Sequence, residues 1–85
     1  MAVKNIKNYN WAMIVDVSKN LAYNVRIERN KRFITQEKLS ELSDISVKHI
    51  IMIEKAKVSP SINVVASIAK ALNVSIDKLV SAIEK

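Results

Sequence analysis

From Thr35 onward, apolar residues recur at three- and four-residue intervals, and short polar stretches break the pattern. In the stretch TQEKLSELSDISVKHIIMIEKAK (Thr35 to Lys57), Thr35 is a candidate helix cap. Leu39 and Leu42 follow at one-turn spacing, which predicts a helix of about two turns. Ser43-Asp44-Ile45 interrupts the pattern and Ser46 is a second cap. Ile50, Ile53 and Ala56 then share one face of a second helix, with Lys48 and His49 on another.

The same periodicity predicts helices on both sides. Leu21 to Arg32 reads as a helix with Leu21, Ala22 and Val25 inward and Arg26, Arg29, Lys31 and Arg32 mostly outward. Pro60-Ser61 starts another, with Ile62, Val65, Ile68, Ala69 and Leu72 as its stripe and Asn73 as a left-handed cap. A last helix opens at Ser75 and carries Ile76, Leu79, Val80 and Ile83. Trp11 to Val17 is ambiguous. Its odd positions alternate like a strand, whereas Ile14, Val17, Leu21 and Val25 continue at helical spacing, and a helix joined to the next one is favoured. Residues 1–10 are polar and read as a mobile arm.

A chain of 85 residues holds one domain. The absence of cysteine excludes disulfides and thiolate metal sites and fits a reducing, cytoplasmic setting. The longest apolar run, Trp11 to Val15, is far too short to span a membrane or to serve as a signal peptide. The net charge of +6 is concentrated early: residues 1–33 carry seven basic against two acidic side chains, a local +5. That excess favours a polyanionic partner. Two short helices joined by a three- or four-residue turn form a helix-turn-helix, whose second helix can lie in the DNA major groove. No glycine-rich phosphate loop, cysteine nucleophile or histidine pair is present, so no enzyme, cofactor or metal is expected.

These residues resemble the lambda-repressor/Cro-like helix-turn-helix family, also called the xenobiotic-response-element type. The matching positions are Thr35-Gln36-Glu37, Leu39, Ile45-Ser46, Ile50, Ile53-Glu54, Pro60-Ser61, Ile68 to Leu72, Val74-Ser75 and Asp77-Lys78-Leu79. They cover roughly residues 20 to 80. The resemblance implies an all-α, five-helix lambda-repressor-like domain at 18–85, its helix-turn-helix at about 35–56, preceded by an N-terminal arm or extension at 1–17. It also implies a salt bridge between Arg29 and Glu54, and a DNA phosphate contact from Gln36. Thr35 is either a second phosphate contact or only a cap.

On the second helix, Val47, Lys48, Ile51 and Met52 occupy the family's base-facing slots. Lys48 suits guanine O6 or N7 and Val47 a thymine methyl, while Ile51 and Met52 would lean on methyl contacts and DNA shape. Ser46 and His49 are placed for phosphates or base edges, and Lys55 and Lys57, with Arg29 or Arg32 nearby, for phosphates. Glu28 departs from the family, where its slot is apolar. Either the helix rotates to bring in Ile27, or Glu28 pairs with a cation. Phe33, Asp44 and Ala56 stand where relatives have glycine. Asp tolerates the left-handed conformation; Ala56 would cost about 1 kcal/mol there, unless the helix runs past it.

The expected function is a sequence-specific transcriptional regulator that binds operator DNA as a homodimer, with Trp11, Val80 and Ile83 as candidate dimer contacts. Single-domain relatives include phage-type repressors, restriction-modification controller proteins and antitoxins, so RNA polymerase or a toxin is a further candidate partner. The alternative is a protein-interaction module that keeps the fold, suggested by Ile51, Met52 and the Trp11 to Val17 patch.

Overall fold

The polar breaks in the sequence become caps, and the caps set the helix lengths. The computed structural model describes residues 17–82 and contains five helices and no strand among them. They are α1 (Val17–Lys31), α2 (Gln36–Ser43), α3 (Val47–Glu54), α4 (Ile62–Leu72) and α5 (Ile76–Val80). Thr35, Ser46, Ser61 and Ser75 all hold extended backbone before a helix, and each accepts a hydrogen bond from the N–H three residues on. Trp11 and Ile83, and the polar arm, lie outside the described residues. Within them, α1 already includes Val17 to Asn20, ahead of the Leu21 expected from the stripe.

Leu21 and Val25 of α1, Leu39 of α2, Ile50 and Ile53 of α3, Val65, Ile68, Ala69 and Leu72 of α4 and Leu79 of α5 form one core. Helix α1 packs on α5 and α3, and α2 on α4 and α3. Two expected core residues lie outside. Leu42 is 50% exposed, and Ser43 is buried in its place. At 3.6 residues per turn, the position four after Leu39 stays closer to its direction than the position three after it. The buried Ser43 hydroxyl is satisfied by donating to the Leu39 carbonyl at 2.7 Å. Ile62 is 64% exposed, because it is the first residue of α4 and sits at the rim of its stripe.

The chain lacks glycine, yet four of the described residues take the left-handed conformation: Phe33 (φ 55°), Asp44 (φ 61°), Ala56 (φ 57°) and Asn73 (φ 59°). Helix α3 therefore does not run past Ala56; the N–H of Lys57 bonds the Met52 carbonyl at 2.9 Å and closes the helix end. Asp and Asn accept this backbone readily, whereas Phe and Ala carry the steric cost of a Cβ.

Glu28 also has a definite answer. It is buried, and both Arg32 (2.8 Å) and Lys31 (3.3 Å) bind its carboxylate, so the helix keeps its register and Glu28 pairs with cations. The hydrogen bond from Arg32, and then Lys31, hold its pKa below the usual carboxylate value against the opposing effect of burial.

Short α5 is secured from α1. Asn24 donates to the Leu79 and Ser81 carbonyls, both at 3.0 Å, and Asn20 to the Val80 carbonyl at 3.3 Å. These carbonyls lie at the end of α5 and just past it, where the two asparagines take the role of a cap.

Candidate nucleic-acid interface

The turn between α2 and α3 is tied down by local bonds. Asp44 donates its N–H to the Ser40 carbonyl at 2.8 Å, Ser40 Oγ donates to the Ile45 carbonyl, and Ile45 N–H donates to Ser43 Oγ at 3.3 Å. With Ile50 and Ile53 fully buried on one side of α3, the direction of its other side follows.

Glu54 fixes the far end of α3. Its carboxylate accepts from Arg29 Nε at 2.8 Å, Arg29 Nη2 at 3.0 Å and Gln36 Nε2 at 3.1 Å. Arg29 Nη1 also donates to the Ile34 carbonyl at 2.9 Å. One carboxylate thus joins α1, the start of α2 and the end of α3. The Arg29–Glu54 pair implied by the resemblance is present, bidentate and almost wholly buried. Its hydrogen bonds to Glu54 raise the Arg29 pKa beyond its ordinary value.

Gln36 is not a free surface side chain. It is half-buried and bound to Glu54, which leaves one amide hydrogen for another acceptor. Thr35 and Ser46 spend their oxygen lone pairs on the N–H groups of Lys38 (2.9 Å) and His49 (3.1 Å). Each hydroxyl can still donate. Thr35 thus caps its helix, and its hydroxyl proton is what remains for a phosphate.

Along α3, Lys48 is exposed, whereas Val47, His49, Ile51 and Met52 are half-buried. Lys55 and Lys57 are exposed just beyond it. The candidates therefore form a strip from Ser46 to Lys57, with Gln36 joined to its end through Glu54. Arg32 is turned away from this strip, since its guanidinium bonds the Glu28 carboxylate and, at 2.6 Å, the Glu28 carbonyl. Among the candidate dimer contacts only Val80 is described; it is half-buried and packs against the core.

Sequence reasoning missed the Gln36–Glu54 bond and a group on α1. Lys19, Tyr23 and Arg26 lie at i, i+4 and i+7, and with Lys55 and Lys57 they border one cleft. Their spacing was the available signal.

A family model described as helix-turn-helix matches residues 25–79. The chain is also 34% identical over 67 residues to the Control protein C.SmaI of Serratia marcescens, covering 79% of this chain and 80% of that protein. No solved structure matches.

Proposed function

Since the chain belongs to the lambda-repressor/Cro-like helix-turn-helix family and is a DNA-binding transcriptional regulator, we propose that it binds a specific operator as a two-fold dimer and reads it with α3. Lys48 bonds guanine, Val47 contacts a thymine methyl, and Ile51 and Met52 select by methyl contact and groove shape. Ser46 and His49 lie at the edge of this surface. Thr35, Gln36, Lys55 and Lys57 contact phosphates, which position α3 without reading sequence.

The observation that carries this reading is the Arg29–Glu54–Gln36 network. It anchors the end of α3 to two other helices and leaves Lys48 free in solvent. A reading helix needs this kind of support, because small errors of placement spoil directional contacts to base edges. A relative described as a control protein supports a regulatory role. The dimer reading is supported by an apolar cleft bordered by Val17, Leu21, Pro60, Ile62 and Val80, in which Ile62 and Val17 are among the most exposed large apolar side chains.

Selection from a random duplex pool tests the proposal. The expected result is an enriched inverted repeat whose half-sites lie about one helical turn apart. A pool that stays random after repeated rounds would overturn it and turn attention to a protein partner for Ile51 and Met52.

A further inference from the structure

The described surface holds several clefts, and their charges differ sharply. The one bordered by Val17, Leu21, Pro60, Ile62 and Val80 has no charged side chain. The one bordered by Leu42, Ser43, Ser67, Lys70 and Ala71 has a single cation. A third contains Lys31, which Glu28 already binds, and Lys78. The fourth is an open cleft of about 630 Å³ between α1 and the end of α3, and Lys19, Arg26, Lys55 and Lys57 all border it. None of these four makes an ion pair among the described residues. The fifth charge there, Glu54, is buried and already holds three N–H donors, so it does not offset them.

We propose that this cleft seats the sugar-phosphate backbone of duplex DNA, extending the interface from the helix-turn-helix onto α1. The inference rests on the operator-binding reading above and adds Lys19, Tyr23 and Arg26 to it. Three observations favour a backbone over a small anion. The cations are spread rather than convergent: Lys19 and Arg26 are seven residues apart, roughly 10 Å along a helix. That length matches about three phosphates of one strand at 3.4 Å each along the duplex axis. The cleft also reaches the end of α3, where Glu54, Lys55 and Lys57 border it, beside the helix that the operator reading places on DNA. Finally, Tyr23, Ala22 and Ala56 give the cleft walls that suit a sugar edge, and the Tyr23 hydroxyl is a further donor.

The test is an anisotropy titration of the intact chain on a selected duplex and on a random duplex, at several salt concentrations. The variants are Lys19→Ala/Arg26→Ala and, as a control with the same charge change, Lys70→Ala/Lys78→Ala. Loss of two phosphate contacts should lower the slope of log affinity against log salt by about two and weaken binding on the order of tenfold or more at 0.1 M salt. The loss should be equal on both duplexes, with thermal unfolding unchanged and the control variant like the parent. An unchanged slope in the Lys19/Arg26 variant, or an equal drop in the control, overturns the inference and leaves the operator reading intact. A parent chain that prefers no duplex over another, or prefers single-stranded RNA, overturns both, and the Lys48→Ala variant identifies that case by having no effect.

Discussion

The outward face of α3 and the cleft between its end and α1 are neighbours with opposite chemistry. The face offers Val47, Ile51 and Met52 around a single exposed lysine, Lys48. The cleft offers four cations and little that could distinguish one base from another. Charge attracts every duplex alike, whereas methyl and hydrogen-bond contacts to base edges depend on sequence. On the proposed reading, the face selects and the cleft supplies most of the attraction. Here they are separate, so each can be removed alone.

Glu54 lies under both regions, and its loss should have the largest effect. Glu54→Ala leaves the largely buried Arg29 side chain with only the Ile34 carbonyl as a partner, and the loss of one member of such a pair costs about 3 kcal/mol. For a domain of this size that corresponds to a fall in Tm of roughly 12 °C or more. Thermal unfolding followed by circular dichroism checks it, and a fall of only a degree or two would show that Glu54 is no hub.

Lys48→Ala should separate the regions most cleanly. A bidentate contact to guanine is worth about 1 to 3 kcal/mol of discrimination, so affinity for the selected duplex should fall five- to more than a hundredfold. Affinity for random duplex should hardly change, because the cleft is intact. Equal losses on both duplexes would place Lys48 among the phosphate contacts.

Smaller effects are expected where the backbone carries strain. Phe33 is 95% exposed at a positive φ, so it has neither burial nor easy geometry there. Phe33→Gly and Ala56→Gly should each raise stability by about 1 kcal/mol, measured by denaturant unfolding. Ala56→Gly also leaves the charge of the cleft it borders unchanged. Its salt slope should match the parent while its stability rises.

The smallest effect concerns acid. Glu28 has a lowered folded pKa, so its stabilising contribution is complete above the ordinary glutamate value of about 4.3 and is lost as pH falls through the lowered one. The stability difference between the parent and Glu28→Gln should therefore shrink as pH falls from 6 to 3. The same substitution frees Lys31 and Arg32, and a slightly steeper salt dependence is expected from it.

Much of the fold was legible because it rests on local rules. Four capping hydroxyls, the left-handed Asn73 and the stripe of α4 beyond Ile62 follow from spacing and side-chain chemistry alone. The Arg29–Glu54 pair came from the resemblance, since nothing in the spacing joins residues 25 apart. Two core assignments failed for different reasons: a three-residue step from Leu39 pointed to Leu42, but the helix turned Ser43 inward, and Ile62 stands exposed at the start of α4. The bonds from Asn20 and Asn24 to α5 span 55 to 60 residues and had no signal in the sequence. In the site, Lys48 and the two terminal lysines could be placed by register. The cleft could not, because it appears only when α1 is packed beside the end of α3.

The central claim is that α3 selects and the α1–α3 cleft holds, and the most direct measurement is duplex selection run in parallel with three proteins: the parent, Lys48→Ala and Lys19→Ala/Arg26→Ala. The Lys19/Arg26 variant should enrich the same motif as the parent at lower affinity, while Lys48→Ala should enrich one that has lost a guanine in each half-site. A changed motif from the Lys19/Arg26 variant, or an unchanged one from Lys48→Ala, would contradict that claim.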